Sequence, residues 1–166
     1  MSNTNSYESP FCTRYASEEM QYIFSADKKF TTWRRLWVAL ARAEMKLGLP
    51  VTEAQVKQLE ENIDNIDYDM AAAREKEVRH DVMAHVLTFG KACPNAKPII
   101  HLGATSCYVG DNTDIIQMKE ALLQIRSLLL AAIEKTADFA EKYKSLPTLA
   151  YTHYQPCLLY TSDAAD

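Results

Sequence analysis

Apolar residues recur at steps of three and four along most of this 166-residue chain. That is the period of a helix with one buried face. Residues 18–24, EEMQYIF, predict a short helix, and residues 27–47 a longer one in which Phe30, Trp33, Trp37 and Leu40 share a face. Gly48 and Pro50 end it. Thr52 and Gln55 stand at capping-box spacing and start a third helix that runs to about Glu61. Residues 67–91 read as a fourth helix, with Met70, Ala73, Glu77, Val78, Asp81, Val82 and His85 in three- and four-residue steps and Gly90 and Pro94 at its close. The stretch from Pro94 to Gly110 is the least helical. Residues 111–145 carry the longest pattern, in which Ile115, Met118, Leu122, Ile125, Leu129 and Ala132 form a heptad-like seam. At about 1.5 Å of rise per residue this helix is roughly 50 Å long. Its seam needs other helices to cover it, from this chain or from neighbouring copies. No strand pattern, internal repeat or low-complexity tract interrupts the series, so the predicted fold class is all-α.

Composition narrows the function classes. Hydrophobic residues make up 48% and charged residues 24% of the chain, as in an average soluble protein. The net charge of −4 argues against a general nucleic-acid-binding surface but leaves room for a local pocket that takes an anionic small molecule. Cys12, Cys93, Cys107 and Cys157 show no C-x-x-C spacing and follow no secretory leader. A disulfide framework or zinc site is therefore not expected, and a reducing, cytoplasmic setting is. The longest apolar run, LLLAAI at 128–133, is far short of a membrane span. The N-terminus, MSNTNSYESP, is polar, is expected to be loose, and lacks the layout of a signal or transit peptide.

Three polar clusters carry chemistry. In EVRHDVMAH, 77–85, Arg79 offers a fork of donors for phosphate or carboxylate, His80 donates or accepts near neutral pH, and Asp81 accepts from a base or amine. On an unbroken helix the three fan over roughly 200°, so a solvated face with local ion pairs is the competing reading. The spacing does not fit the H-E-x-x-H zinc pattern, and no metal is expected. In HLGATSCYVG, 101–110, the hydroxyls and N–H groups of Thr105 and Ser106 can hold a carboxylate between Gly103 and Gly110. The same loop also reads as a turn plus cap, with Asp111 and Thr113 starting the long helix. In YTHYQP, 151–156, Thr152 and Gln155 can orient His153, which can give a proton to a leaving amine; a polar residue in an ordinary loop is the equal competing reading. Arg14 and Tyr15 precede the first helix, where an arginine suits an anion site, though such a residue is more often simply an exposed charge. His85 and His101 read as packing or loop hydrogen-bonding residues.

Together, RHDVMAH, HLGATS and THYQP, in this order with a long helix between the last two, resemble the adenylosuccinate lyase family of the fumarase/aspartase superfamily. The resemblance covers residues 10–156. It implies β-elimination of fumarate from adenylosuccinate to leave AMP, and the parallel cleavage of the succinyl-carboxamide ribotide in purine synthesis. It implies a homotetramer with active sites assembled from three subunits, no cofactor, and a nucleotide substrate rather than nucleic acid or membrane. By resemblance His153 matches the general acid, and His80 a supporting catalytic histidine near the substrate phosphate. Thr105 and Ser106 match groups on the succinyl carboxylates, and Arg14, Tyr15, Arg79 and Asp81 match nucleotide contacts. Thr152 and Gln155 would position His153 and the substrate.

The resemblance also divides the chain. Residues 1–110 correspond to an N-terminal helical domain, with 1–9 loose, and 111–156 to the first long helix of a central bundle and its histidine-bearing loop. Residues 157–166, CLLYTSDAAD, depart from the family pattern and are expected to be a non-native tail. The family's serine loop, which supplies the base, has no counterpart in these residues, so the chain alone is expected to be inactive. The competing readings are a non-enzymatic helical scaffold and another lyase of the superfamily.

Overall fold

Five successive helices begin on a side chain that accepts a free backbone N–H, and these caps set the segmentation of the chain. The structure is a computed structural model. It describes residues 7–147 and the backbone of residues 150–152 and 155–157. A single π-helical turn, Phe11–Tyr15, comes first. Ser17 then caps α1 (Glu18–Ile23), Ser25 caps α2 (Ala26–Lys46), and Thr52 and Gln55 form the expected capping box of α3 (Glu53–Glu61). Asp67 caps α4 (Tyr68–Val78), and His80 caps α5 (Asp81–Ala92). A 3-10 turn, Lys97–Ile99, leads to α6 (Ser106–Tyr143).

Two boundaries differ from the sequence reading. The helix expected over 67–91 is two helices, because Arg79 adopts the left-handed conformation (φ 53°, ψ 38°) and His80 an extended one. The three-and-four rhythm runs through this break without registering it. The long helix starts at Ser106 rather than Asp111, so Thr105 and Ser106 sit at its N-terminus. A third difference is small. Ala150–Thr152 and Gln155–Cys157 pair antiparallel, with Thr152 opposite Gln155. All other regular structure among the described residues is helical, so the fold is all-α.

The chain separates into two units at Gln124/Ile125. In the first, α2 supplies the centre of the core: Trp33, Trp37 and Ala41 are essentially inaccessible, packed with Leu59 of α3, Val82 and Phe89 of α5, Ile100 and Val109. Phe30 meets Trp33 edge-on at 5.1 Å and stacks on His85 at 3.7 Å. The start of α6 joins this unit through Val109, Thr113, Gln117 and Ala121, spaced four apart. Gln117 Nε2 donates to the Ile23 carbonyl at 2.5 Å, and Lys28 pairs with Glu120 at 2.7 Å. The aliphatic seam is a different face: Ile115, Met118, Leu122, Ile125 and Leu129 are all exposed. The second unit holds the remainder of α6 and the paired strands.

Arg34 is the least expected core residue. Its side chain is buried, with the guanidinium 4.4 Å from the Phe89 ring centre, and Nη1 donates to the carbonyls of Asn62 and Asn65 at 2.5 and 2.6 Å. Burial pulls its pKa down to about 10. Arg34 enters no ion pair among the described residues, and its worth lies in closing the α3–α4 turn onto α2. Arg34→Ala is expected to lower unfolding free energy by about 2–3 kcal/mol, the range for charged-donor bonds lost with acceptors left behind, as read by urea denaturation.

His85 is confirmed as a packing residue, held neutral by burial and by the nearby Arg34 charge, with its pKa lowered to about 4. Its folded value lies below the unfolded value near 6.5, so the unfolded chain binds the extra proton between the two. This contribution is fully present above about pH 6.5 and lost as pH falls toward 4, on the order of 3 kcal/mol. His85→Phe is expected to flatten the pH dependence of the urea midpoint across that window.

Candidate active site

The break at Arg79 builds the site. Left-handed backbone at a non-glycine residue is uncommon and ends α4 abruptly, with the Arg79 N–H donating to the Glu75 carbonyl at 2.7 Å. The chain then turns outward and His80 becomes the cap of α5, its Nδ1 accepting the Met83 N–H at 3.3 Å. That bond requires an unprotonated Nδ1, so the neutral ring carries its hydrogen on Nε2. Nε2 lies 3.1 Å from Ser106 Oγ and donates to it. Asp81 accepts its neighbour's N–H, Val82, at 2.7 Å, and stands 3.9 Å from the His80 ring.

Ser106 is the first residue of α6. A single side-chain hydrogen bond therefore joins the N-termini of two helices, one of them 38 residues long. Both N-termini carry a partial positive charge, although at α5 the Val82 and Met83 N–H groups are already taken by Asp81 and His80. Their convergence favours carboxylate or phosphate, and the site stays open, with the His80 and Asp81 side chains about half exposed. Gly103 is left-handed (φ 65°), which lets the loop turn into α6. The Thr105 carbonyl accepts the Tyr108 N–H at 3.0 Å as α6 begins.

His101 is a hydrogen-bonding loop residue, as its sequence context suggests. Its Nδ1 accepts the buried Trp37 Nε1–H at 3.0 Å, so its own hydrogen is also on Nε2. Burial and the neighbouring His80 ring lower its pKa. A chain of contacts thus runs from the core through Trp37 and His101 to the 101–106 loop, Ser106 and His80. Spacing gave no sign of this chain of contacts, because Trp37 and His101 are 64 positions apart.

The structure brings together His80, Asp81, Arg79, Thr105 and Ser106. Arg14 and Tyr15 lie on the π-helical turn, with the guanidinium 5.5 Å from the Tyr15 ring centre; no hydrogen bond or ion pair among the described residues ties them to His80 or Ser106. His153 lies outside the described residues, as do the side chains of Thr152 and Gln155, whose backbones pair on either side of it. No group of three or more potential metal ligands occurs among the described residues.

Comparison with known proteins bears on this geometry. No family model matches the chain. Curated relatives do: an adenylosuccinate lyase from Saccharomyces cerevisiae is 48% identical over 97% of the chain, one from Schistosoma mansoni 46% over 94%, and one from Schizosaccharomyces pombe 44% over 97%. The chain is a homologue of the adenylosuccinate lyases. It spans about a third of their length, 34%, 32% and 34% respectively. A match this complete along the chain takes in both α5 and the loop before α6, so the His80–Ser106 junction falls within the part aligned to adenylosuccinate lyases.

The junction gives two separable roles to His80. Asparagine is a good cap but does not reach Ser106 as an imidazole does. His80→Ala is expected to cost about 1 kcal/mol and His80→Asn under about 0.5 kcal/mol by thermal or urea unfolding. Equal losses for both variants would show that the cap does not contribute.

Proposed function

We propose that the protein to which this chain belongs eliminates fumarate from adenylosuccinate to yield AMP, and likewise cleaves the succinyl-carboxamide ribotide, in purine biosynthesis. The observation that carries this reading is the His80–Ser106 hydrogen bond, which joins two helix N-termini beside Arg79. A substrate with two carboxylates and a phosphate needs such a surface. Names of relatives at 44–48% identity support the same choice of substrate.

In this mechanism a base takes the proton from the carbon adjacent to a succinyl carboxylate, and the electron pair moves onto that carboxylate. Thr105, Ser106 and the N-terminus of α6 stabilise the oxygen on which charge builds. Collapse of that aci-carboxylate forms the carbon–carbon double bond of fumarate and breaks the carbon–nitrogen bond. His153 as imidazolium gives its proton to the departing nitrogen, a task suited to a group titrating near neutral pH. His80 turns its Nε2–H from Ser106 to an anionic oxygen of the substrate, while its Nδ1 stays engaged with α5. Thr152 and Gln155 hold His153, and Arg14, Tyr15, Arg79 and Asp81 contact the nucleotide. The protein works in the cytoplasm as a homotetramer, without a cofactor, and residues 1–166 alone are inactive because they hold the acid side of the site only.

Fumarate release from adenylosuccinate by the intact gene product tests the assignment, with argininosuccinate and malate as competing substrates. Turnover of adenylosuccinate alone is expected, with kcat reduced about 10²–10⁴-fold in His153→Gln and substantially in His80→Asn. An intact protein without lyase activity toward any of the three would favour a helical scaffold.

A further inference from the structure

We propose that the groove between α4 and α5 is a second anion site, for a small molecule that carries a phosphate on an apolar body. Two adjoining cavities, of about 250 and 190 Å³, share Met70, Thr88 and Lys91. The larger adds Leu87, Arg74 and Lys97. The groove thus has an apolar floor, Met70 and Leu87, with three cations around it, in a chain whose net charge is −4. Small-molecule sites commonly combine an apolar lining with a few convergent polar groups.

Three details argue that the cations are there for a ligand. Arg74 pairs with Glu77, but Lys91 and Lys97 enter none of the ion pairs among the described residues. The acidic residue on the lining, Asp67, is engaged as the cap of α4, accepting the Met70 N–H at 2.8 Å. The backbone of α5 is also cut back where Lys97 crosses it. A Cβ on Gly90 would come 2.8 Å from Lys97 Cγ, so glycine lets the lysine stem lie flat against the helix beside the cavity. Glycine is disfavoured inside a helix, and its use at this position fits the seating of that lysine. Lys91 and Lys97 then face the same space, where a phosphate relieves the repulsion between them.

The groove is separate from the His80–Ser106 site. Lys91 follows His80 by eleven positions, about 16 Å along α5. The inference does not rest on the lyase reading, and either can fail alone.

Calorimetric titration of phenyl phosphate into the intact protein tests it. Saturable binding is expected, weakening as salt rises and at least tenfold tighter than that of inorganic phosphate. The double variant Lys91→Ala, Lys97→Ala is expected to raise Kd at least tenfold. Gly90→Ala, which keeps both charges but displaces the Lys97 stem, is expected to weaken binding too. Ser106→Ala, which alters the helix-end site, should leave the lysine-dependent binding in place. Absence of saturable binding, indifference to the lysine and glycine variants, loss in Ser106→Ala, or equal affinity for inorganic phosphate would each overturn the proposal.

Discussion

The left-handed backbone at Arg79 is the constraint on which the candidate site depends. A continuous helix through residues 68–92 would bury the His80 N–H in a helical ladder and point Arg79, His80 and Asp81 in three directions. The break gives α5 its own N-terminus, makes His80 the residue that caps it, and turns the imidazole toward Ser106. Non-glycine residues pay roughly 1 kcal/mol or more for this conformation, and such strain collects at functional positions.

The long helix shows why one element can serve two tasks. Its docking face, Val109, Thr113, Gln117 and Ala121, is small and partly polar, and it is fixed by the Gln117 and Glu120 side chains rather than by bulk. The aliphatic seam lies on another face and stays exposed from Ile115 to Leu129. An isolated helix has no reason to carry so much exposed aliphatic surface, since patches of this kind mark interaction sites. In the proposed tetramer such a seam would be the surface by which long helices of different subunits pack. The Ser106 end is tied to His80 within this chain.

Legibility followed the kind of signal each feature leaves. The capping box at Thr52 and Gln55, the aromatic face of α2 and the helical character of 111–145 were readable because each repeats a local rule. The break at Arg79 was not, because the apolar rhythm of α4 continues in phase into α5, and neither glycine nor proline marks the junction. The early start of α6 was missed because Gly110 and Asp111 resemble a helix entrance, whereas the helix begins at Ser106 and Gly110 sits within it. Arg34 and the Trp37–His101 bond join residues 28 to 64 positions apart, and no local pattern encodes them. The candidate residues His80, Thr105 and Ser106 came from motif resemblance; the meeting of His80 and Ser106 at two helix ends came only from the fold.

Two kinds of positive potential therefore arise in a chain of negative net charge, and they differ physically. At His80 and Ser106 it comes from backbone N–H groups at helix ends, whose effect is fixed in direction and confined to the first turn. In the α4–α5 groove it comes from mobile lysine heads, which respond to ionic strength and to whatever anion approaches. Oriented donors suit chemistry in which charge develops on one oxygen in the transition state, because they need no rearrangement as it forms. Flexible cations suit retention of a ligand that does not react. On the proposed reading the chemistry belongs at the helix ends, even though the lysines carry more formal charge.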